Sequence, residues 1–247
     1  MTDEESKKNK ESKHISAMNV KRLLNDVKTI YKTPLHDNGI FYRHDQTDIL
    51  KGYALIIGPK DTVYDSGCYL FDFSYPTDYP FKPPKVTYKT NDGFTRFNPN
   101  LYKNGKVCIS LLNTWQGEQW SSCQNISTIL LNLVALLNNT PLLNEPGITT
   151  RHQDYDNYTK IIRFQNFNFA ILKFFNTKYI TKDFFELHNN YVSYLKNNIN
   201  RLEEQVKELT LTEKKQTLNV GIYKMNTTID YMNLHKEICK LKDDLQN

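Results

Sequence analysis

The sequence lacks the features that mark a fibrous or membrane-spanning protein. Its 247 residues include only 9 glycines and 9 prolines, while 39% are hydrophobic and 13% aromatic, which excludes collagen-like, mucin-like and fully disordered chains. A membrane-crossing helix requires a run of about 18 apolar residues, and the sequence contains no such run. The chain starts with a polar stretch, MTDEESKKNKESK. We therefore expect a soluble, unsecreted protein of the cytoplasm or nucleus, or of the host cytoplasm if the chain is viral, with no membrane partner.

Cysteine is scarce too, and its spacing gives little support to a metal centre. The four cysteines are Cys68, Cys108, Cys123 and Cys239. They form no CxxC pair and have no paired histidines nearby, so we expect no metal site. In a reducing compartment they are free thiols. Three are expected to be packed as small hydrophobic residues, which leaves the question of whether one is chemically active.

Charge of one sign is not in large excess. The 32 Lys and Arg residues against 27 Asp and Glu give a net charge of +5 and a sequence pI of about 8.8. Nucleic-acid-binding domains typically exceed a pI of about 9, and the chain has neither zinc-ligand spacing nor an aromatic and basic motif. A specific nucleic-acid partner is therefore not expected.

The first third of the chain predicts a tail, a helix and a strand meander. Residues 1–15 are too polar to pack and are read as a solvated tail. A helix follows and stops at Pro34. Alternating apolar residues between Tyr53 and Tyr88 then predict an antiparallel meander. The apolar face of the helix has helical spacing and consists of Val20, Leu23, Leu24, Val27 and Ile30.

Further helices are predicted after Cys108. Ser121 and Gln124 have capping-box spacing ahead of an apolar helix that ends before Pro141. Another amphipathic, aromatic-rich segment covers about 155–175. The segment 79–84, with three prolines, cannot be strand or helix interior, so it should form a stiff loop.

The last third has the three-and-four spacing of a heptad seam, which predicts a coiled-coil-like helix. A break near 210–221 precedes a second apolar pattern that ends at Leu245, so a helical hairpin is the simplest arrangement. Two interpretations stay open, namely that both helices pack onto the main domain or that they bind a partner. The seam residues are Phe185, His188, Val192, Leu195, Ile199, Leu202, Val206 and Leu209.

Two phrases carry the functional signal. They are YPFKPPKVTYKT at 79–90 and NPNLYKNGKVC at 98–108. Together they resemble the catalytic core of ubiquitin-conjugating enzymes, in which a YPFxPPKV loop precedes a His-Pro-Asn motif and a cysteine eight residues after its asparagine. Asn100 and Cys108 have that spacing.

The resemblance covers about residues 17–165. It includes the Lys21-Arg22-Leu23 helix start, the Ile57-Gly58-Pro59 turn and the Trp120-Ser121 pair. The insertion LLNTWQGEQW and the segment 144–147, NEPG, are more similar to the branch found in very large ubiquitin-conjugating proteins. Asn98 stands where the family has histidine, and asparagine can also donate and accept hydrogen bonds.

The resemblance implies an α+β fold with an N-terminal helix, a four-stranded antiparallel meander, further helices and a helical C-terminal extension. We expect the catalytic domain to cover 16–180 and the extension 181–247. The extension is expected to be dispensable for thioester formation and to serve a partner, a substrate or self-association.

The implied activity is transfer of ubiquitin through a thioester on Cys108. Its partners would be ubiquitin, a ubiquitin-activating enzyme, a ubiquitin ligase and a substrate lysine, with no cofactor because the activating enzyme uses the ATP. A thiol that exchanges with another thioester does not need a partner base. The alternative is a catalytically weak scaffold of the same fold that binds ubiquitin or a partner.

The resemblance also implies roles for other residues. Asn100 would stabilise the oxyanion that forms when lysine attacks, or would only brace its loop. Glu145 would orient and deprotonate the incoming lysine, or is an ordinary surface carboxylate. The partner-binding candidates are Phe81, Lys82, Lys21 and Arg22, and Phe81 could instead be half-buried packing.

Overall fold

The computed structural model describes residues 15–246, and the predicted tail lies outside this range except for Ile15. Within it, no helix is both long enough and apolar enough to cross a membrane. The main elements in chain order are α1 (Ala17–Lys32), β1 (Ile40–His44), β2 (Lys51–Ile57), β3 (Cys68–Ser74), β4 (Lys85–Tyr88), α2 (Ile126–Ala135), α3 (Tyr155–Gln165), α4 (Leu172–Phe175), α5 (Phe185–Thr212), β5 (Gln216–Val220), β6 (Met225–Ile229) and α6 (Tyr231–Gln246).

The four-stranded meander is confirmed. Strands β1 to β4 lie in sequence order, each antiparallel to the next, with Ile40 opposite Ile56 and Phe73 opposite Val86. The alternation pattern missed β1, because its buried positions include His44, a polar residue. Strand β2 is buried from Gly52 to Ile57, so both of its faces are covered. This explains why its sequence is a continuous apolar run rather than an alternating one.

The proline loop is anchored at its base and open at its tip. The hydroxyl of Tyr79 donates to Asp26 at 2.6 Å, and the indole Nε1 of Trp120 donates to the carbonyl of Pro80 at 2.6 Å. Phe81, at the tip, is 63% exposed. The prediction of a stiff loop that presents Phe81 and Lys82 is therefore confirmed.

Helix α2 begins later than the capping-box prediction placed it. Gln124 does accept from the Ser121 amide at 3.1 Å, but these residues form a turn before the helix. The N-cap is Asn125, whose side chain accepts from the amide of Thr128. An asparagine satisfies a first-turn amide as well as serine does, so the cap moved by four residues.

The segment 155–175 is helical as predicted, but it is not one regular helix. A π-helical stretch, Asn166–Ile171, joins α3 to α4. The buried Asn166 side chain accepts from the hydroxyl of Tyr69 at 2.6 Å and donates to the carbonyl of Asp65 at 2.8 Å. These bonds tie the widened turn to the sheet, a site-specific use that is typical of π-bulges.

The C-terminal extension contains both predicted helices, with a β-hairpin between them. Strands β5 and β6 pair antiparallel where a simple break was predicted, so the helical-hairpin interpretation is corrected. Both strands are short, and Thr and Asn interrupt their apolar residues, so the alternation that predicts a strand is weak. Helix α6 packs on α5. The seam residues Leu195, Ile199, Leu202 and Val206 are buried, whereas Phe185 is exposed.

The extension is joined to the sheet through α5, which packs on β1 and β2. The hydroxyl of Tyr191 donates to the carbonyl of Ser66 at 2.9 Å. The guanidinium of Arg201 binds both oxygens of Asp65, at 2.7 and 3.0 Å. Of the two interpretations of the seam, packing onto the main domain is the one that the structure shows. The division of the chain at residue 181 stays a prediction.

Candidate active site

The segment 96–114, called the Cys108 turn below, folds back on itself. Leu101 pairs with both Asn98 and Val107 in isolated bridges, so the chain reverses within ten residues. Gly105, with φ of +86°, occupies the left-handed region that this reversal requires. The reversal brings Asn100 and Cys108 side by side.

Two hydrogen bonds join Asn100 to Cys108. The Cys108 amide donates to the carbonyl of Asn100 at 2.9 Å, and the Asn100 side-chain amide donates to the carbonyl of Cys108 at 2.6 Å. The Asn100 Oδ1 is buried and has no partner among the described residues. The bracing interpretation of Asn100 therefore has direct geometric support, and the same contact holds an amide donor against the cysteine.

Asn98 stabilises the Cys108 turn through hydrogen bonds of its side chain. Its amide donates to the carbonyl of Leu136 at 2.8 Å and to the hydroxyl of Tyr64 at 3.1 Å, and its Oδ1 accepts from the Asn100 amide at 3.0 Å. The side chain is fully buried. An asparagine thus provides both the donor and the acceptor that this position needs.

Arg96 is a supporting residue that the sequence reasoning missed. Its guanidinium donates to the carbonyls of Asn98 and Pro99 and stacks on the Tyr102 ring, 3.3 Å from the ring centroid. The carbonyl of Arg96 in turn accepts from the hydroxyl of Tyr158 at 2.7 Å. A basic residue two positions before the Asn-Pro-Asn motif was the available signal.

The Cys108 thiol is covered by the chain that follows it. The residue is 2% exposed, and its Sγ donates to the carbonyl of Thr114 at 3.0 Å. The Thr114 hydroxyl bonds to the carbonyls of Val107 and Ile109, each at 3.0 Å. Thr114 lies within the exposed part of the insertion, residues 113–119, and its carbonyl is the group that contacts the thiol.

An open groove adjoins this cover. Its volume is about 560 Å³, and it extends from the end of the proline loop at Pro83 to Leu112 and Thr114. Lys106, two residues from the cysteine, lies along it. Thr114, whose carbonyl accepts from the thiol, therefore also forms part of the groove wall.

Glu145 is held by a residue of the extension. Its carboxylate accepts from the hydroxyl of Tyr223, which lies in the turn between β5 and β6. Burial, together with this hydrogen bond, raises the pKa of Tyr223 above its usual value, so the phenol stays a donor. No local sequence pattern indicates this contact, because 78 residues separate the two partners.

The turn between β5 and β6 also contacts the Cys108 turn and the start of α3. The Lys103 Nζ donates to the carbonyl of Tyr223 at 3.1 Å. The Ile222 amide donates to the buried carboxylate of Asp154 at 2.9 Å. The tip of the β-hairpin thus lies against chain on both sides of the candidate site.

The four partner-binding candidates differ in exposure. Phe81, Lys82 and Lys21 are exposed, and Lys82 pairs with Asp78 at 2.8 Å. Arg22 bonds to Asp26 and to the carbonyls of Ser122 and Gln124, at 2.6 and 2.7 Å. These donors are used inside the fold, which supports a structural role for Arg22, and its partner-binding role stays a prediction. The half-buried interpretation of Phe81 is wrong, since its side chain is exposed.

The expectation for the other three cysteines is only partly met. Cys68 is buried in β3, and burial raises the pKa of its thiol well above the usual value. Cys123 is exposed and Cys239 is half-buried, so these two are not core packing. The error came from applying the general burial of cysteine to surface positions.

Comparison with known proteins decides the family. A family profile described as "Ubiquitin-conjugating enzyme" matches residues 19–166, which is more than half of the chain and includes Asn100, Cys108 and Glu145. The chain belongs to the ubiquitin-conjugating enzyme family. The fold described above is the fold that this resemblance predicted, and the extension begins after the matched range.

Relatives of this family match the same part of the chain. Ubiquitin-conjugating enzyme E2 Z of Homo sapiens is 44% identical over 153 residues, which are 61% of this chain and 43% of that protein. Probable ubiquitin-conjugating enzyme protein 17 of Caenorhabditis elegans is 37% identical over 183 residues, 66% of this chain and 25% of that protein.

The resemblance to the branch of very large proteins is confirmed. The dual E2 ubiquitin-conjugating enzyme/E3 ubiquitin-protein ligase BIRC6 of Homo sapiens is 42% identical over 142 residues, which are 53% of this chain but 3% of that protein. In each of the three comparisons, the chain covers less than half of the relative's length.

Proposed function

We propose that the chain accepts ubiquitin as a thioester on Cys108 and transfers it to a substrate lysine. The observation that carries the proposal is the pair of hydrogen bonds that holds Asn100 against Cys108 inside the segment matched by the family. In the first step the Cys108 thiolate attacks the thioester carbonyl on the activating enzyme. A new carbon–sulfur bond forms, the old one breaks, and the cysteine of the activating enzyme leaves as a thiolate.

In the second step a lysine amine attacks the Cys108 thioester. An isopeptide bond forms, the carbon–sulfur bond breaks so that Cys108 leaves as a thiolate, and the amine loses one proton. Asn100 stabilises the negative charge on the carbonyl oxygen, and Glu145, held by Tyr223, orients the amine and accepts its proton. Neither step uses a cofactor of this chain, since ATP is consumed by the activating enzyme.

The covered thiol sets one requirement on the first step. The Cys108 Sγ has to leave the Thr114 carbonyl before it can attack, so charging includes a displacement of the inserted segment or a rotation of the side chain. Partners of this reaction are ubiquitin, an activating enzyme, a ligase and a substrate protein. Phe81, exposed on its rigid loop, is the proposed ligase contact, and the cytoplasm or nucleus is the proposed compartment.

A thioester assay with activating enzyme, ATP and ubiquitin tests this function. We expect an adduct on the wild type that thiol reductant removes, no adduct on Cys108→Ala, and a normal adduct on Cys123→Ala, which changes an exposed cysteine. Cys108→Ser should give a reductant-stable oxyester or no adduct. A wild-type chain that never forms an adduct would instead support the scaffold alternative. An adduct on Cys108→Ala that is absent from Cys123→Ala would move the active site.

A further inference from the structure

Three side chains with metal-binding chemistry meet between α5 and α6, on residues that take no part in the candidate active site. They are Glu203 on α5 and His235 and Cys239 on α6. His235 and Cys239 are four residues apart, so they lie on the same face of their helix. All three are half-buried, which leaves the cluster in reach of solvent.

The distances between their donor atoms suit one metal ion. The Cys239 Sγ lies 3.7 Å from the His235 Nε2 and 3.8 Å from the Glu203 Oε1, and the latter two atoms are 4.0 Å apart. For a triangle with sides of 3.7, 3.8 and 4.0 Å, the point equidistant from the three atoms is about 2.2 Å from each. Zinc bonds are about 2.3 Å to sulfur, 2.0–2.1 Å to imidazole nitrogen and 2.0–2.2 Å to carboxylate oxygen.

The mixture of donors selects the type of metal. A thiolate, an imidazole and a carboxylate together suit a borderline cation such as Zn²⁺, whereas Mg²⁺ and Ca²⁺ prefer oxygen ligands alone. The point about 2.2 Å from the three donors lies in their plane, so a tetrahedral ion requires the donors to close around it by about a few tenths of an ångström. The fourth position is then left for water, which the partial exposure of the cluster admits.

A lysine orients the carboxylate without using the oxygen that faces the cluster. The Lys242 Nζ binds the Glu203 Oε2 at 2.7 Å, whereas the Oε1 faces His235 and Cys239. The carboxylate is therefore held by one oxygen with the other directed at the two remaining donors. Contacts of this kind around metal ligands fix their geometry.

We propose that Glu203, His235 and Cys239 bind Zn²⁺ and that the ion links α5 to α6. The expectation of no metal site rested on cysteine spacing and paired histidines, which do not detect a single histidine four residues before a cysteine on a helix. The ligands come from two different helices. Glu203 and Cys239 are 36 residues apart in sequence, so only the fold brings them together.

The test uses the full chain with Zn²⁺ and with Co²⁺ as a spectroscopic probe. We expect one tight equivalent of Zn²⁺ by calorimetry and, with Co²⁺, a near-ultraviolet band from thiolate-to-cobalt charge transfer. Cys239→Ser should abolish that band, and His235→Gln and Glu203→Gln should each weaken binding about tenfold or more. The matched control is Cys123→Ser, which removes an exposed thiol outside the cluster and should bind like the wild type.

Two further measurements separate loss of ligands from loss of fold. Circular dichroism should be the same for all variants, because the three side chains are half-buried. Zn²⁺ should raise the thermal unfolding temperature of the wild type and of Cys123→Ser but not that of Cys239→Ser. Equal metal binding by wild type and Cys239→Ser, or loss of binding in Cys123→Ser, would overturn the proposal and leave a hydrogen-bonded surface cluster.

Discussion

The Cys108 turn and the joint between α5 and the sheet both bury polar groups, but they are assembled over very different distances along the chain. Asn100 bonds to Cys108 eight residues away, and Cys108 bonds to Thr114 six residues away. At the joint, Arg201 binds Asp65 across 136 residues, and Tyr191 binds the carbonyl of Ser66 across 125.

Because the two sets of bonds span such different lengths of chain, we expect them to serve different purposes. Closing a short loop costs little chain entropy, so the Cys108 turn sets its own geometry. The joint forms only when two segments that are far apart in sequence have come together, and α5 then covers the sheet. We expect changes in the joint to act mainly on folding and changes in the turn to act mainly on transfer.

The largest effect is expected from removing residues 182–247. Strand β2 is buried on both faces, and α5 packs on it, so the deletion exposes apolar sheet surface. Burial of one large apolar side chain contributes about 1.5–3 kcal/mol, and a whole domain is stable by about 5–15 kcal/mol. We expect no cooperative thermal unfolding transition for the shortened chain in circular dichroism and no charging at Cys108.

This expectation departs from the appendage predicted from the sequence, and the same experiment decides between them. A shortened chain that unfolds cooperatively and forms the thioester would make the extension a separate unit. The division at residue 181 would then hold, and the buried contacts of Tyr191 and Arg201 would add little to the core.

The next largest effect concerns the turn alone. Asn100→Ala should leave charging of Cys108 nearly intact but slow discharge to lysine about 10²–10³-fold, because an oxyanion donor acts when the amine attacks. Single-turnover charging and discharge, measured separately, give the two rates. Asn104→Ala is the matched control. This exposed asparagine braces the same turn by accepting from the Lys106 amide at 3.1 Å but has no hydrogen bond to Cys108, so its removal should leave the discharge rate within a few-fold of the wild type.

The unfolding free energy of Asn100→Ala separates the two roles of this residue. A stability close to that of the wild type with slow discharge supports oxyanion stabilisation. Equal losses in charging and discharge, together with a lower unfolding free energy, would mean that the bond to the Cys108 carbonyl only braces the turn.

The contrast in sequence distance also explains what could be predicted. Asn100 and Cys108 lie in one motif, so the sequence alone indicated the candidate site, and with the other motifs it indicated the family. Tyr223 and Glu145 lie 78 residues apart, and nothing in the local pattern around Tyr223 marks it as a neighbour of the site. Periodicity found the helices, but it could not tell that the apolar seam of α5 is covered by the same chain.

A smaller effect, on stability, is expected for Arg201→Ala. Burial tends to raise the pKa of Asp65, but hydrogen bonds from Arg201, Ser66 and Gln205 outweigh it and hold that pKa below its usual value. Removing Arg201 leaves a buried carboxylate with neutral partners only. We expect a loss of about 2–3 kcal/mol in urea unfolding at neutral pH, with charging at Cys108 retained.

The pH dependence identifies the cause. A carboxyl whose pKa is lowered by folding stabilises the protein above its unfolded pKa of about 3.9, and this contribution is lost as the pH falls through its folded pKa. The wild type should therefore lose stability below about pH 4, and Arg201→Ala should lose less there. Lys207→Ala, an exposed change on α5, is the control. Parallel stability curves for the wild type and Arg201→Ala would contradict a role for this pair.

The smallest effect tests one of the contacts between the extension and the candidate site. Tyr223→Phe removes the hydroxyl that donates to Glu145 and keeps the ring that packs near Tyr158. One hydrogen bond is worth about 1 kcal/mol, so discharge to lysine should slow about fivefold while charging is unchanged.

Glu145→Gln should slow discharge at least as much as Tyr223→Phe, because it removes the proposed base itself. Tyr179→Phe, a change at an exposed tyrosine of another segment, should discharge at the wild-type rate. Slow discharge in Glu145→Gln with normal discharge in Tyr223→Phe would show that the extension does not position the carboxylate. Normal discharge in both would make Glu145 an ordinary surface residue, and the extension would then act through stability alone.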